Sequence, residues 1–135
     1  MMNKLEKLRK EERENLLEKA EHYLKILRER TGPLSGIVFG SVSRGDFNYA
    51  SDVDLLVIAE ELPSHPLRRI EILLNPWVPG VDPKGYTPSE FNALKLKKNP
   101  FILSVLQEGI VLLDDLGIFQ NKSVYEDVEE TIRNL

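Results

Sequence analysis

The stretch that decides the fold runs Leu34-Ser35-Gly36-Ile37-Val38-Phe39-Gly40-Ser41-Val42-Ser43-Arg44-Gly45-Asp46. After a polar interval it continues as Ser51-Asp52-Val53-Asp54-Leu55-Leu56-Val57-Ile58. Leu34 to Phe39 is short, apolar and carries β-branched residues, so it reads as a strand. It leads directly into Gly40-Ser41, where the missing side chain lets backbone N–H groups approach an anion and the Ser hydroxyl adds a donor. A helical turn beginning at Ser41 would aim its positive end at phosphate. Asp52 to Ile58 reads as a second strand, too apolar after Asp54 to be an exposed edge. Alternate residues on a strand share a face, so the Asp52 and Asp54 carboxylates point the same way, roughly 6.5–7 Å apart at Cα. Two carboxylates that close repel and raise each other's proton affinity unless a cation lies between them.

Acidic, oxygen-only donors are what Mg²⁺ takes, usually alongside substrate phosphates and water. A phosphate cradle at one strand end and a carboxylate pair on the next describe a nucleoside triphosphate site of the two-metal kind. There, ions roughly 3.5–4 Å apart clamp the attacking and leaving oxygens of an in-line displacement. Such a site needs a third carboxylate beside the ion that holds the acceptor hydroxyl. Asp82 is the candidate, because it ends a separate short strand and precedes Pro83, which biases it toward an extended backbone. Arg44 stands where a guanidinium would reach the triphosphate or a partner. With 8 Gly, 8 Ser and 7 Asp in 135 residues, the spacing Gly-Ser-x10-Asp-x-Asp arises by chance in about one such sequence per thousand.

Working outward, Asn3 with Glu6 forms a capping box opening a long helix. Its residues Leu17, Ala20, Leu24 and Leu27 repeat at helical spacing. Residues 9–15 are almost wholly charged, so the first half of that helix is expected to project from the body or fray. Gly32-Pro33 ends it. Downstream, Pro63 and Pro66 bracket a loop before a short helix over 67–74, and an irregular strand is expected to end near Asp82. Thr87-Pro88-Ser89-Glu90 starts another helix, Asn99-Pro100 a further one that stops at Gly109, and Ile110 to Leu113 reads as a strand. Ser123 with Glu126 caps a last helix. The order is a mixed α/β (α+β) domain: a small mixed sheet flanked by helices over residues 34–113, a long N-terminal helix over 1–31 and an acidic tail over 114–135. Trp77, between two prolines, is expected to pack in the core. Lone His22 and His65 lie far from the motif and suggest no zinc pattern.

Composition bounds the function. The length suits one domain with a core of its own. There are 18 Lys and Arg against 22 Asp and Glu, net charge −4, and residues 114–135 alone carry 2 basic and 6 acidic side chains. That balance argues against non-specific nucleic-acid binding, which rests on Lys and Arg neutralising phosphates. With no Cys, disulfides, thiolate zinc sites and thiol nucleophiles are excluded. No run approaches a membrane span and the N-terminus is not signal-like, so a cytoplasmic protein is expected.

The residues Val38 to Asp46 and Ser51 to Val57 resemble the polymerase-beta nucleotidyltransferase superfamily, more narrowly its minimal nucleotidyltransferases. Tyr86 to Phe91 and Glu108 to Leu113 look like later segments of that group. The resemblance implies transfer of a nucleoside monophosphate, AMP from ATP, to a hydroxyl acceptor with release of pyrophosphate. Gly40 and Ser41 would hold the β- and γ-phosphates, Asp52 and Asp54 would bind two Mg²⁺ ions, and Asp82 would complete the acceptor side. It further implies a HEPN-domain toxin as partner and an antitoxin role. The family's apolar third strand is replaced here by Pro79, Gly80, Pro83 and Gly85 around Asp82. Two other classes stay open: a binding module that neutralises a toxin by contact alone, and an enzyme nucleotidylating a small molecule.

Overall fold

Asn3 caps the first helix as its spacing predicts, its side chain accepting from the Glu6 N–H at 2.8 Å while Glu6 accepts from the Asn3 N–H at 3.2 Å. The structure is a computed structural model describing residues 1–48 and 51–119. The last helix expected from Ser123 and Glu126, and most of the acidic tail, lie outside the described residues. Helix α1 spans Lys4–Thr31 and ends at Gly32, whose N–H returns to the Arg28 carbonyl. It is followed by β1 (Leu34–Phe39), α2 (Ser41–Arg44), β2 (Val53–Ala59), α3 (Pro66–Leu74), β3 (Val81–Tyr86), α4 (Pro88–Leu96), α5 (Pro100–Glu108) and β4 (Ile110–Asp114).

The four strands form one mixed sheet in the order β3-β2-β1-β4. β1 pairs antiparallel with both β2 and β4, while β2 and β3 run parallel through the α3 crossover. Period-2 alternation sorts the central strands between two cores. Leu34, Val38, Val53, Leu55, Val57 and Ala59 pack with α1 and with Leu62 and Leu73. Ile37, Leu56 and Ile58 pack on the opposite face with Phe91 of α4, Ile102 and Val105 of α5, and Phe119. α1 lies close on its face: a Cβ at Gly36 of β1 would stand 2.6 Å from Leu24 Cδ1.

Three expectations are corrected. The charged first half of α1 does not project freely; Arg9 and Arg13 bond to the loop after β1, because their long side chains reach carbonyls a chain of short residues would leave to water. Trp77 is 85% exposed rather than buried, since the Pro76 and Pro79 turns carry it outside the packed layers. The third strand does not end near Asp82 but begins at Val81. The Pro79-Gly80 turn delivers the chain there, with the Val53 N–H donating to the Gly80 carbonyl at 2.8 Å. Pro83 is tolerated because β3 is an edge strand, where one side of the backbone needs no ladder partner.

Candidate active site

Phe39, the last residue of β1, lies in register with Asp54 of β2, and Asp54 lies in register with Asp82 of β3. Side chains at matched positions of neighbouring strands share a face, so the Asp54 and Asp82 carboxylates stand side by side, on the face that α4 and α5 cover further along. Asp52 comes from the residue immediately before β2, since the strand starts at Val53, and is exposed. Thus two acids are fixed by sheet register and the third hangs at the sheet rim. A region of the chain far from the first motif, residues 81–86, closes the site.

Gly40 turns the chain between β1 and α2 at φ +76°, and a Cβ there would stand 2.5 Å from Asp54 Oδ2. Only glycine leaves room for the backbone to run beside that carboxylate. The four-residue α2 is tightly bonded on its own carbonyls: Gly40 O accepts from Arg44 N at 3.1 Å and from Ser43 Oγ at 2.9 Å. Ser41 O accepts from Gly45 N and Asp46 N. Ser41 is half-buried at the turn, and its hydroxyl forms no hydrogen bond among the described residues.

Electrostatics mark Asp54. Partial burial pushes its carboxyl above the ordinary aspartate range, and the charges of Asp82 and, more weakly, Asp52 push it the same way. Lys84 and Arg44 oppose them. Lys84 was not singled out by its sequence context. It sits two residues after Asp82 on the same face of β3, its Nζ 5.1 Å from the Phe101 ring centroid and 5.9 Å from that of Phe39. Phe39 and Phe101 meet edge to face at 5.1 Å, so the ammonium caps an aromatic pair beside the acids. The only signal available beforehand was the alternation Asp82, Lys84, Tyr86. Arg44 is exposed and turned to two acids, Asp46 at 3.1 Å and Glu108 at 3.7 Å, while its charge still reaches Asp54.

The site therefore brings Gly40, Ser41, Asp54 and Asp82 together, with Asp52 and Arg44 at its rim. Among the described residues, no three His, Asp or Glu side chains form an all-protein cage for an ion. Mg²⁺ does not require one: it is commonly held by one or two carboxylates together with substrate phosphates and water. The donor set fits such an ion, because all three side chains are anionic oxygen donors and Asp54 carries like-charge repulsion that a cation would relieve.

A glycine turn set against a group of carboxylates at one end of a sheet is an arrangement that suits phosphate chemistry. The chain belongs to the nucleotidyltransferase domain family, which matches residues 20–133. It is similar to a crystal structure from Sulfolobus solfataricus at 1.40 Å, described as a candidate nucleotidyltransferase, with a TM-score of 0.59 and 18% identity. That similarity covers 77% of this chain and 85% of the other, and at such identity it is a likeness of fold. No curated protein matches the chain. Nucleotidyl transfer is thus the general chemistry of this domain. Among the described residues, no helix is long and apolar enough to cross a membrane.

Proposed function

We propose that the chain is a protein adenylyltransferase that moves AMP from ATP to a hydroxyl on a HEPN-domain toxin in the cytoplasm, and so acts as an antitoxin. The observation that carries the transfer reading is the register of Asp54 with Asp82 beside the Gly40 turn. Backbone N–H groups at Gly40 and Ser41, with the Ser41 hydroxyl, bind the β- and γ-phosphates, and Arg44 adds positive charge at the rim. Asp52, Asp54 and Asp82 would hold two Mg²⁺ ions, which when bound supply charge neutralisation for the phosphate oxygens. The acceptor oxygen bonds to the α-phosphorus as the bond from that phosphorus to the bridging oxygen breaks. Pyrophosphate leaves with that bonding pair, and the hydroxyl proton passes to Asp82. The described residues form a small catalytic domain with few elements left to enclose an acceptor, which favours one delivered by a partner protein.

Incubation with ATP labelled at the α-phosphate, Mg²⁺ and the product of the adjacent gene is expected to label that product. Asp52→Ala and Asp54→Ala should each reduce labelling by at least a hundredfold; labelling that survives both substitutions overturns the mechanism. A second reading, neutralisation by contact alone, draws on the exposed residues Leu67, Ile70, Leu74 and Trp77. It predicts that the Asp52→Ala protein still protects cells from the toxin although transfer is gone.

A further inference from the structure

Two arginines in the first half of α1, both preceding the residues matched by the family, reach the loop that carries Gly40 and Ser41. Arg13 donates from Nε to the Val42 carbonyl at 2.9 Å and from Nη2 to the Ser43 carbonyl at 2.6 Å. One turn earlier, Arg9 Nη2 donates to the carbonyls of Gly45 at 3.0 Å and Phe47 at 2.8 Å. The Arg9 guanidinium also lies 4.5 Å over the Phe47 ring centroid. Positions four apart share one side of a helix, so the pair grips the loop from a single direction.

The grip answers a specific need. The last carbonyls of a helix have no partners within it, and α2 is a single turn. Backbone donors serve Gly40 O and Ser41 O; the carbonyls of Val42 and Ser43 are served by the Arg13 fork. In return, the stretch of α1 before Leu16 has little else to hold it, since Leu16 is the first buried side chain of the helix. A loop ordered beforehand binds its ligand without the entropic cost of ordering at that moment.

We infer that Arg9 and Arg13 are positioning residues for nucleotide binding: through four carbonyl contacts they fix the loop from Gly40 to Phe47 so that Ser41 and its neighbouring N–H groups meet a triphosphate already in place. The inference rests on the reading of Gly40 and Ser41 as the triphosphate site. It concerns the fork geometry rather than charge, because a lysine ammonium cannot span two adjacent carbonyls as a guanidinium does.

The test titrates ATP in Mg²⁺ buffer into wild type, Arg13→Gln, Arg13→Lys, Ser41→Ala and the Ser41→Ala/Arg13→Gln double variant. Amide exchange over residues 41–47 and the thermal midpoint are read alongside. Both Arg13 variants should stay folded, exchange faster in the loop and bind ATP about tenfold more weakly. The Arg13→Gln effect should shrink in part in the Ser41→Ala background, because the Ser41 hydroxyl is one of the contacts that the ordered loop positions. Wild-type affinity in Arg13→Lys, or an effect undiminished in that background, overturns the inference. If Arg13→Gln does not fold, Arg9→Gln carries the same expectation through its own two carbonyls. Wild-type protein that binds no ATP overturns the triphosphate reading itself, whereas wild-type binding with unchanged affinity in the variants overturns only the arginine grip.

Discussion

At Gly40 a single added carbon decides between a site and a clash. Gly40→Ala would place Cβ against Asp54 Oδ2 and force an L-residue to φ +76°, ψ −150°, a backbone region essentially reserved for glycine that costs about 1–3 kcal/mol. A lowered thermal midpoint is expected together with loss of transfer to labelled acceptor, and near-normal transfer would show that the close approach is not needed. Asp54 gives the opposite sign. Its folded-state proton affinity is raised above the ordinary aspartate value, so over that interval the native state binds more protons than the unfolded one. Stability therefore falls as pH climbs from the ordinary aspartate range through the raised value, and then levels off. Asp54→Asn removes this penalty: in metal-free buffer near neutral pH it should melt above wild type, with the gap closing as pH drops below the ordinary aspartate range. Melting curves of both proteins across that range check the sign. The meeting of the Gly40 turn with Asp54 was legible because a fixed spacing along one hairpin brings those residue types together. Lys84 was not, because a lone strand lysine ordinarily faces water, and only the sheet register puts it beside Asp54.

Elements bounded by local chemistry were readable; those set by tertiary contact were not. Thr87 opens α4 as its spacing predicts, with the Glu90 carboxylate accepting from the Thr87 N–H at 2.8 Å and from Arg69 at 2.9 Å. These bonds hold the Glu90 carboxyl below its ordinary range, the Thr87 N–H contributing most. Thr87→Ala should cost about 1 kcal/mol, as loss of an N-cap oxygen usually does, measurable by urea unfolding; a change near zero would mean that Arg69 and Pro88 fix the helix start unaided. For β3 the prolines and glycines around Asp82 signalled an end, yet the strand starts there, because parallel pairing with β2 outweighs poor strand composition. The first half of α1 misled in the same way. Its charges read as solvated, and two of them turn out to be bonded to carbonyls more than 28 positions away.

At the scale of the whole molecule, the sheet separates two apolar clusters, and the site lies where β1, β2 and β3 present one common end. The outer face of α3 leaves Leu67, Ile70 and Leu74 half or more exposed, beside a cavity of about 150 Å³ lined by Tyr23, Trp77 and Val81 among others. Tyr23 is buried there beneath an apolar rim, its hydroxyl donating to the Leu73 carbonyl. β3 has a different character. It pairs with β2 alone and none of its residues is buried, while its start sets Asp82 against a like charge. A strand so weakly anchored belongs to the low-stability end of a fold and opens before the core does. Amides on β3 should accordingly exchange faster than those of β1, and Asp82→Asn should slow them; equal protection on both strands would contradict this. On warming, Asp82 would then leave the site first while Gly40 and Asp54 still stand together, and under the transfer mechanism proposed above nucleotide binding would outlast transfer.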